Sequence, residues 1–330
     1  MFNKLTSGSI GLIANSHKIQ VAELTGTQNK PVLSAFGSID LQSGIVARGK
    51  VENIEAFAAA LTELFKRLGL KTSNITLGIN NSDVILRMAS FPKVPEDKIR
   101  NMIMLQAQEY IPIPIAELEL DYVLSDEVSL ADGTVFVNTL LVGAKKDMLG
   151  RFIDAFTQAD ISLNEIDSAV LSLGRAAYLS NNISEHKNIL VLSIDIDDVS
   201  TIVFKDKYVS LARSVQAAGA SHEVLKKYYA NSAAAMQEDE LNAIMELIVN
   251  EINMAVTYFT RKCEQSIDAI HLVTTLSDAE IIAQRLEEIA KINVALPRLF
   301  ENMNIAKGIN TTEYASCIAL ALRGLRGDRQ

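Results

Sequence analysis

The chain has 330 residues, 48% hydrophobic and 22% charged, which is enough to bury a large core as two lobes or as one large α/β unit. Its 31 basic residues stand against 40 acidic ones, and the net charge of −9 without any basic run argues against nucleic acid as a partner. Cys263 and Cys317 have no CxxC spacing and no histidine cluster nearby, so we expect neither a disulfide framework nor a zinc site. This cysteine usage is typical of a reducing cytoplasm.

The first half begins with a series of strands followed by a helix. The stretch "SIGLIANSHKIQVAELTG" predicts two strands joined by a polar turn, and "KPVLSAFGSIDL" predicts a third. In "VENIEAFAAALTELFKRLG" the apolar residues recur at helical spacing, and Gly69 is predicted to end the helix. A further strand follows at "SNITLGIN".

The middle of the chain has a different pattern, and the second half then repeats the first. From "VILRMASFPKVPEDKIRNMIMLQAQEYIPIPIAELELDYVL" onward the order is strand, helix, strand, strand, helix, which predicts an α+β insert of about 80 residues. The stretches "NILVLSIDIDDVSTIVF" and "KYVSLARSVQAAG" return to the strand series, followed by helices across 220–262 and a buried strand at "IDAIHLVTTL". No stretch reaches the ~18 apolar residues of a membrane span, and the N-terminus does not resemble a signal peptide, so direct membrane insertion is not expected.

These segments together resemble the type IV pilus assembly protein PilM family, whose members are actin-like and related to the division protein FtsA. The resemblance rests on the duplicated plan, on the insert, on "DLQSGIVARGKVENIEAFAAAL" and on "YASCIALALRG". Its most specific part is "QAQEYIPIPIAELELDYVL", where a helix ends in a Tyr-Ile-Pro step before an acidic strand. The resemblance implies an α/β, actin-like (ribonuclease H-like, duplicated) two-lobe fold with a small α+β insert subdomain in the first lobe.

On this resemblance we expect lobe 1 to comprise residues 1–82 and 163–185, the insert 83–162, and lobe 2 186–330 with a small helical subdomain at about 220–262. Family members lie at the cytoplasmic face of the inner membrane and bind the N-terminal cytoplasmic tail of the membrane protein PilN beside the insert. Many also bind ATP between the lobes. The resemblance leaves undecided whether pilus motor ATPases are further partners.

The nucleotide hairpins of the family are altered in this sequence. Glycine at such turns lets the backbone approach a phosphate, and an Asp on each hairpin holds the hydrated metal. The family's first hairpin reads "GIDIGSSSVK", whereas this chain has "GLIANSHKIQ", with Ile13 at the Asp position and Asn15 at a Gly position. In the second hairpin Asp195 and Thr201 match the family, but Asp197 replaces a glycine and adds negative charge where a phosphate would bind.

The base-side turn of the family carries a glycine pair, and here Thr274 and Thr275 occupy those positions. We therefore expect no catalytic residue, no metal ligand and no cofactor, with weak binding of ATP and Mg²⁺ left open. A surviving nucleotide site would use Asn15, Ser16, Lys18, Asp195, Thr201, Thr274 and Thr275. The alternative for Asp195 and Asp197 is that they cap backbone N–H groups of the turn.

The partner tail is expected as an extended peptide that adds to a strand edge where the insert joins lobe 1. On the resemblance, its lining residues are Ile85, Met88, Met102, Gln106 and Tyr110. The alternative is that the Met and Leu residues of the insert helix pack in its core, since their spacing is helical.

Three functions stay open from the sequence. The first is a non-catalytic scaffold that couples membrane-spanning pilus proteins to cytoplasmic motors. The altered hairpins favour this function and predict a pseudo-ATPase. The second is an ATP-binding switch in the same machinery. The third is a cytoplasmic adaptor of type II secretion, which the absence of a transmembrane helix after "ALALRGLRGDRQ" disfavours.

Overall fold

The computed structural model describes residues 8–180, 187–230, 234–300, 303 and 311–325. The outer bounds of the predicted lobes, and their division at 185/186, lie outside these residues. In chain order the strands are β1 (Ser9–Ala14), β2 (Lys18–Thr27), β3 (Lys30–Asp40), β4 (Val46–Ala47), β5 (Lys50–Val51), β6 (Ile75–Ile79), β7 (Val84–Pro92), β8 (Leu118–Ser129), β9 (Val135–Lys145), β10 (Leu163–Ser168), β11 (Asn188–Ile194), β12 (Asp198–Lys205), β13 (Tyr208–Gln216), β14 (Ala269–Val273) and β15 (Asn293–Ala295). The helices are α1 (Ile54–Leu68), α2 (Glu96–Gln106), α3 (Lys146–Gln158), α4 (Ala169–Leu179), α5 (Gly219–Ala230), α6 (Glu238–Cys263), α7 (Ala279–Ala290) and α8 (Ala315–Gly324).

Two five-stranded sheets share one topology. The first has the order β10-β6-β1-β2-β3 and the second β15-β14-β11-β12-β13. In both sheets three consecutive strands pair antiparallel, and the first of them pairs parallel with a later strand. The repeat predicted from the strand series is therefore present as two equivalent sheets, one in each lobe.

Helix α1 shows why the first helix forms where the sequence predicts it. The side chain of Asn53 accepts a hydrogen bond from the Ala56 amide and caps the N-terminus. Gly69, with φ of 64°, ends the helix in the left-handed conformation that glycine adopts at low cost. Phe57 and Leu61 are buried against the first sheet, so the apolar face of α1 covers one side of lobe 1.

The insert has its own three-stranded antiparallel sheet, in the order β7-β9-β8. Helix α3, which the predicted insert of 83–162 includes, packs instead in the core of lobe 1, where the rings of Phe152 and Phe57 meet edge to face at 5.9 Å. The periodicity of α3 predicts a buried face correctly, but it does not say which sheet that face covers. The structure thus assigns α3 to lobe 1.

Two helices cross between the lobes. Helix α4, predicted in lobe 1, packs on the second sheet, and Gly174 allows this because a Cβ there would lie 2.1 Å from Cδ1 of Ile202. Helix α8, predicted in lobe 2, packs on the first sheet beside Ala22 and Leu24. The interlobe cleft is therefore bounded by helices from both halves of the chain. None of the helices in the described part of the chain combines the length and apolarity that a bilayer crossing requires.

Candidate functional site

The hairpin turns of the two lobes meet in the cleft. The β1–β2 turn of lobe 1 contains Asn15 and Ser16, and the β11–β12 turn of lobe 2 contains Asp195 and Asp197. Ser16 donates from its backbone N to Oδ2 of Asp197 at 2.8 Å and from its Oγ to Oδ1 at 2.6 Å. The side-chain amide of Asn15 donates to Oδ1 of Asp195 at 3.4 Å. The two hairpins are therefore in direct contact.

Asn15 shapes its own turn as well. Its Oδ1 accepts hydrogen bonds from the backbone N of His17 and of Lys18, each at 3.0 Å. This is an Asx turn, in which the side chain of Asn accepts hydrogen bonds from nearby backbone N–H groups in place of a backbone carbonyl. Amide groups of this turn are thus satisfied by the chain itself.

The carboxyl groups of the second hairpin are crowded and buried. Asp197 is 3% exposed and Asp198 6% exposed. Burial raises the pKa of Asp195, and the neighbouring charge of Asp197 raises it further. Burial also raises the pKa of Asp198 to about 8, with the charge of Asp195 as the next contribution. Among the described residues, no group of three or more His, Cys, Asp or Glu side chains is placed to hold a metal ion.

The other predicted nucleotide residues divide between two places. Lys18, Thr274 and Thr275 line the cleft beside Asp195, and Nζ of Lys18 lies 2.8 Å from Oε1 of Glu313. Thr201 is fully buried within β12, and its hydroxyl has no hydrogen-bond partner among the described residues. Six of the seven predicted residues therefore come together at the cleft, and Thr201 does not.

The space left in the cleft is small. Two cavities lie between the lobes, each with a volume of about 50 Å³, and Asp195 lines both. Sites for organic ligands usually measure ~300–1,000 Å³. Each cavity is therefore well below this range in the closed arrangement.

A larger groove lies where the insert joins lobe 1, with a volume of about 370 Å³. Strand β8 forms one wall, and β10 with the start of α4 forms the other. Both β8 and β10 are edge strands of their sheets in the described part of the chain. Its apolar lining includes Ile79, Val84, Val123, Val142, Leu149, Ile153 and Leu171, and its charged lining is Glu119, Asp121, Asp167, Arg175 and Arg323.

None of the five predicted partner residues lines this groove. Ile85, Met102 and Tyr110 pack in the core between α2 and the insert sheet, and Tyr110 donates from its hydroxyl to the Ser90 carbonyl at 3.2 Å. Met88 packs with the cluster around α4 and the second sheet. Gln106 is half-buried at the end of α2.

The pairing of the insert sheet explains why these residues lie away from the groove. Side chains alternate between its two faces, so Ile85 of β7 points to α2 while Val84 points to lobe 1. Helix α2 therefore lies on the far side of the sheet from the junction. The residues that line the junction come from strands β6 to β10 and from helices α3, α4 and α8, and the edge positions of β8 and β10 depend on strand pairing that periodicity alone does not reveal.

The duplicated sheets, the crossing helices and the apposed hairpins define an actin-like protein with an insert in its first lobe. The sequence matches the family of type IV pilus assembly protein PilM over residues 11–325, and the chain belongs to that family. Both the expected fold class and the expected family are confirmed.

Solved structures agree with this fold. One similar structure is a PilM-PilN type IV pilus biogenesis complex, with 20% sequence identity, a TM-score of 0.79 and coverage of 96% of this chain and 98% of that chain. Another is the ethanolamine utilization protein EutJ from Carboxydothermus hydrogenoformans, at 9% identity and a TM-score of 0.53, covering 96% of this chain and 89% of that chain.

Proposed function

We propose that this protein is a non-catalytic scaffold of a type IV pilus or related secretion machine, which binds the N-terminal cytoplasmic tail of a PilN-like membrane protein. The observation that carries the proposal is the groove between the edge strands β8 and β10. A similar protein in complex with PilN supports this class of partner. The protein then sits at the cytoplasmic face of the inner membrane through its partner.

The groove suits an extended peptide. An edge strand has backbone N–H and C=O groups free on one side, so a peptide can add to β8 or β10 through main-chain hydrogen bonds. Apolar side chains of the peptide would contact Val142, Leu149 and Ile153 in the floor and wall. Acidic side chains on β8 and the two arginines on the opposite wall would then set the direction of the peptide.

The state of the interlobe cleft supports a non-catalytic role. Phosphoryl transfer needs a metal to neutralise charge and a positioned water molecule. Ile13 supplies no carboxylate from the first hairpin, and the raised pKa of Asp195 disfavours the charged form that a metal requires. A closed cleft with about 50 Å³ in each cavity adds to this argument.

The test is binding of a synthetic peptide with the sequence of the N-terminal cytoplasmic tail of a PilN-like protein. Ile153 is 47% exposed and Val123 36% exposed, so Ile153→Arg and Val123→Arg change the groove with little effect on folding. We expect each to weaken binding by about tenfold or more, because an apolar contact becomes a charge (~1.4 kcal/mol or more).

Leu105→Arg is the matched control, since Leu105 is 83% exposed on α2 and lies away from the groove. Calorimetry should give wild-type affinity for this variant. If Leu105→Arg abolished binding while Ile153→Arg and Val123→Arg retained it, the peptide would bind at α2 and the groove assignment would be wrong.

A further inference from the structure

The turn of the first hairpin already holds an anionic group, and that group belongs to the protein. Both oxygens of the Asp197 carboxylate accept from Ser16, one from the backbone N–H and one from the hydroxyl. The two residues are 181 positions apart and belong to different lobes. Asp197 stands at a position where the hairpins of actin-like proteins carry glycine.

We propose that Asp197 is a built-in substitute for a nucleotide phosphate, whose carboxylate occupies the anion position of the first hairpin turn and holds the two lobes closed without a ligand. This goes beyond the peptide-binding function proposed above and does not depend on it.

The chemistry of the contact fits this role. A carboxylate and a phosphate both present anionic oxygens that accept hydrogen bonds from backbone N–H and hydroxyl groups. The 2.6 Å distance from Oγ of Ser16 lies in the short range of charge-assisted O–H···O bonds. Oγ of Ser16 also accepts from the backbone N of Arg48 at 2.8 Å, which orients its proton toward Asp197.

Lobe 2 holds the carboxylate in position. The backbone carbonyl of Asp197 accepts from the Ala217 amide at 3.0 Å, and Nε2 of His222 on α5 lies 3.5 Å from its Oδ1. The backbone of Asp197 is thus held by its own lobe, and the imidazole of His222 lies beside the carboxylate, although its Nε2 makes no hydrogen bond to the described residues. A preorganised acceptor loses little conformational freedom when the contact forms.

Further hydrogen bonds cross the cleft around this contact. The side chain of Asn80 in lobe 1 donates to Oδ1 of Asp198 at 2.6 Å. The side chain of Gln216 in lobe 2 donates to the carbonyl of Arg48 at 3.2 Å. Closure therefore needs no external ligand, and a free phosphate would have to displace a tethered acceptor of high effective concentration.

The first measurement is hydrogen exchange of the Ser16 amide in the full chain, with small-angle scattering to report the separation of the lobes. Asp197→Asn keeps the shape of the side chain, Asp197→Gly removes it, and Asp154→Asn is a matched control at an exposed position of α3. Loss of a charged hydrogen-bond partner should speed exchange of the Ser16 amide by about tenfold to hundredfold in both Asp197 variants. The radius of gyration should rise in Asp197→Gly, and the control should match the wild type.

The second measurement uses inorganic pyrophosphate as the probe. It should slow exchange of the Ser16 amide in Asp197→Gly, where the anion position is vacated, and have no effect on the wild type. The proposal is overturned if exchange and scattering are unchanged in both Asp197 variants, or if pyrophosphate protects Ser16 in the wild type as well. Asp197→Asn gives the exchange result even if Asp197→Gly does not fold.

Discussion

The side-chain amide of Asn80 in lobe 1 donates a 2.6 Å hydrogen bond to Oδ1 of Asp198 in lobe 2. The same oxygen accepts from Oγ of Ser200 at 2.9 Å. Because burial raises the pKa of Asp198 to about 8, this carboxyl retains its proton at neutral pH and acts as a neutral group between the lobes.

This relationship predicts a pH dependence of stability. Below about pH 4 the carboxyl is protonated in both the folded and the unfolded chain, so this group does not make the free energy of unfolding depend on pH there. Between about pH 4 and 8 the unfolded chain has released the proton that the folded chain keeps. The free energy of unfolding should therefore fall as the pH rises through this window, by at most about 1.4 kcal/mol per pH unit from this group.

Asp198→Asn isolates the contribution, because an amide has the shape of the protonated acid and its oxygen still accepts from Asn80. Urea unfolding at pH 5, 6.5 and 8 should show a flatter dependence for this variant than for the wild type or the Asp154→Asn control. An unchanged slope in Asp198→Asn would show that Asp198 is ionised in the folded protein.

Local patterns identify most elements of the fold, but not their assignment to lobes. The periodicity around Phe57 and the stop at Gly69 give α1 correctly, because both are properties of the helix itself. Helices α3 and α8 also have buried faces, yet each packs on a sheet other than the one expected. Apolar periodicity predicts that one face of a helix is buried, but it does not identify the sheet against which that face packs.

In the candidate site, too, the sequence identifies the residues but not their contacts across the cleft. The altered residues Asn15 and Asp197 can be read from the sequence against the family's hairpins, and the structure places both turns in one cleft. Their contact partners cannot be read in this way, since Ser16 and Asp197 meet across 181 positions. The family resemblance predicts Tyr110 at the partner surface, whereas the structure packs it against the core of the insert, and helical spacing alone does not distinguish an exposed groove from a core.

Gly11 is predicted to be essential for packing of α8 on the first sheet. A Cβ at this position would lie 1.9 Å from the carbonyl O of Cys317 and 2.7 Å from the backbone N of Ala321. Gly11→Ala should destabilise the protein by about 3 kcal/mol or more, because backbone rather than a flexible side chain must move.

Gly150→Ala is the matched comparison within helix α3, where an added Cβ meets no atom within 4 Å. Alanine should stabilise this helix by about 0.5–1 kcal/mol. Urea midpoints of the two variants should therefore shift in opposite directions. Equal shifts would mean that α8 does not pack as closely on β1 as the structure shows.

The two cysteines should differ in reactivity. Cys317 is fully buried, and burial raises its pKa to about 12, so it has little of the reactive thiolate at neutral pH. Cys263 is half-buried at the end of α6. Titration with a disulfide reagent should modify one thiol in the native protein and a second only in denaturant. Cys263→Ser should abolish the native reaction, and a reaction that survives in this variant would place Cys317 within reach of solvent.

The last prediction concerns ATP. Removing one preorganised element of charge stabilisation typically lowers a rate by a factor of ~100 or more. This chain has Ile13 in place of the first carboxylate and Thr274 and Thr275 in place of the base-side glycines. ATP turnover by the purified protein should therefore be no faster than turnover by Asp195→Ala.

Calorimetry with ATP and Mg²⁺ extends the prediction to binding. We expect no dissociation constant in the low micromolar range, because a nucleotide would have to open the cleft and displace the Asp197 carboxylate from Ser16. Asp154→Asn, outside the cleft, controls for the quality of each preparation. Low micromolar binding by the wild type that Asp195→Ala abolishes would instead establish a working nucleotide switch, since only a site that uses the second hairpin depends on that side chain.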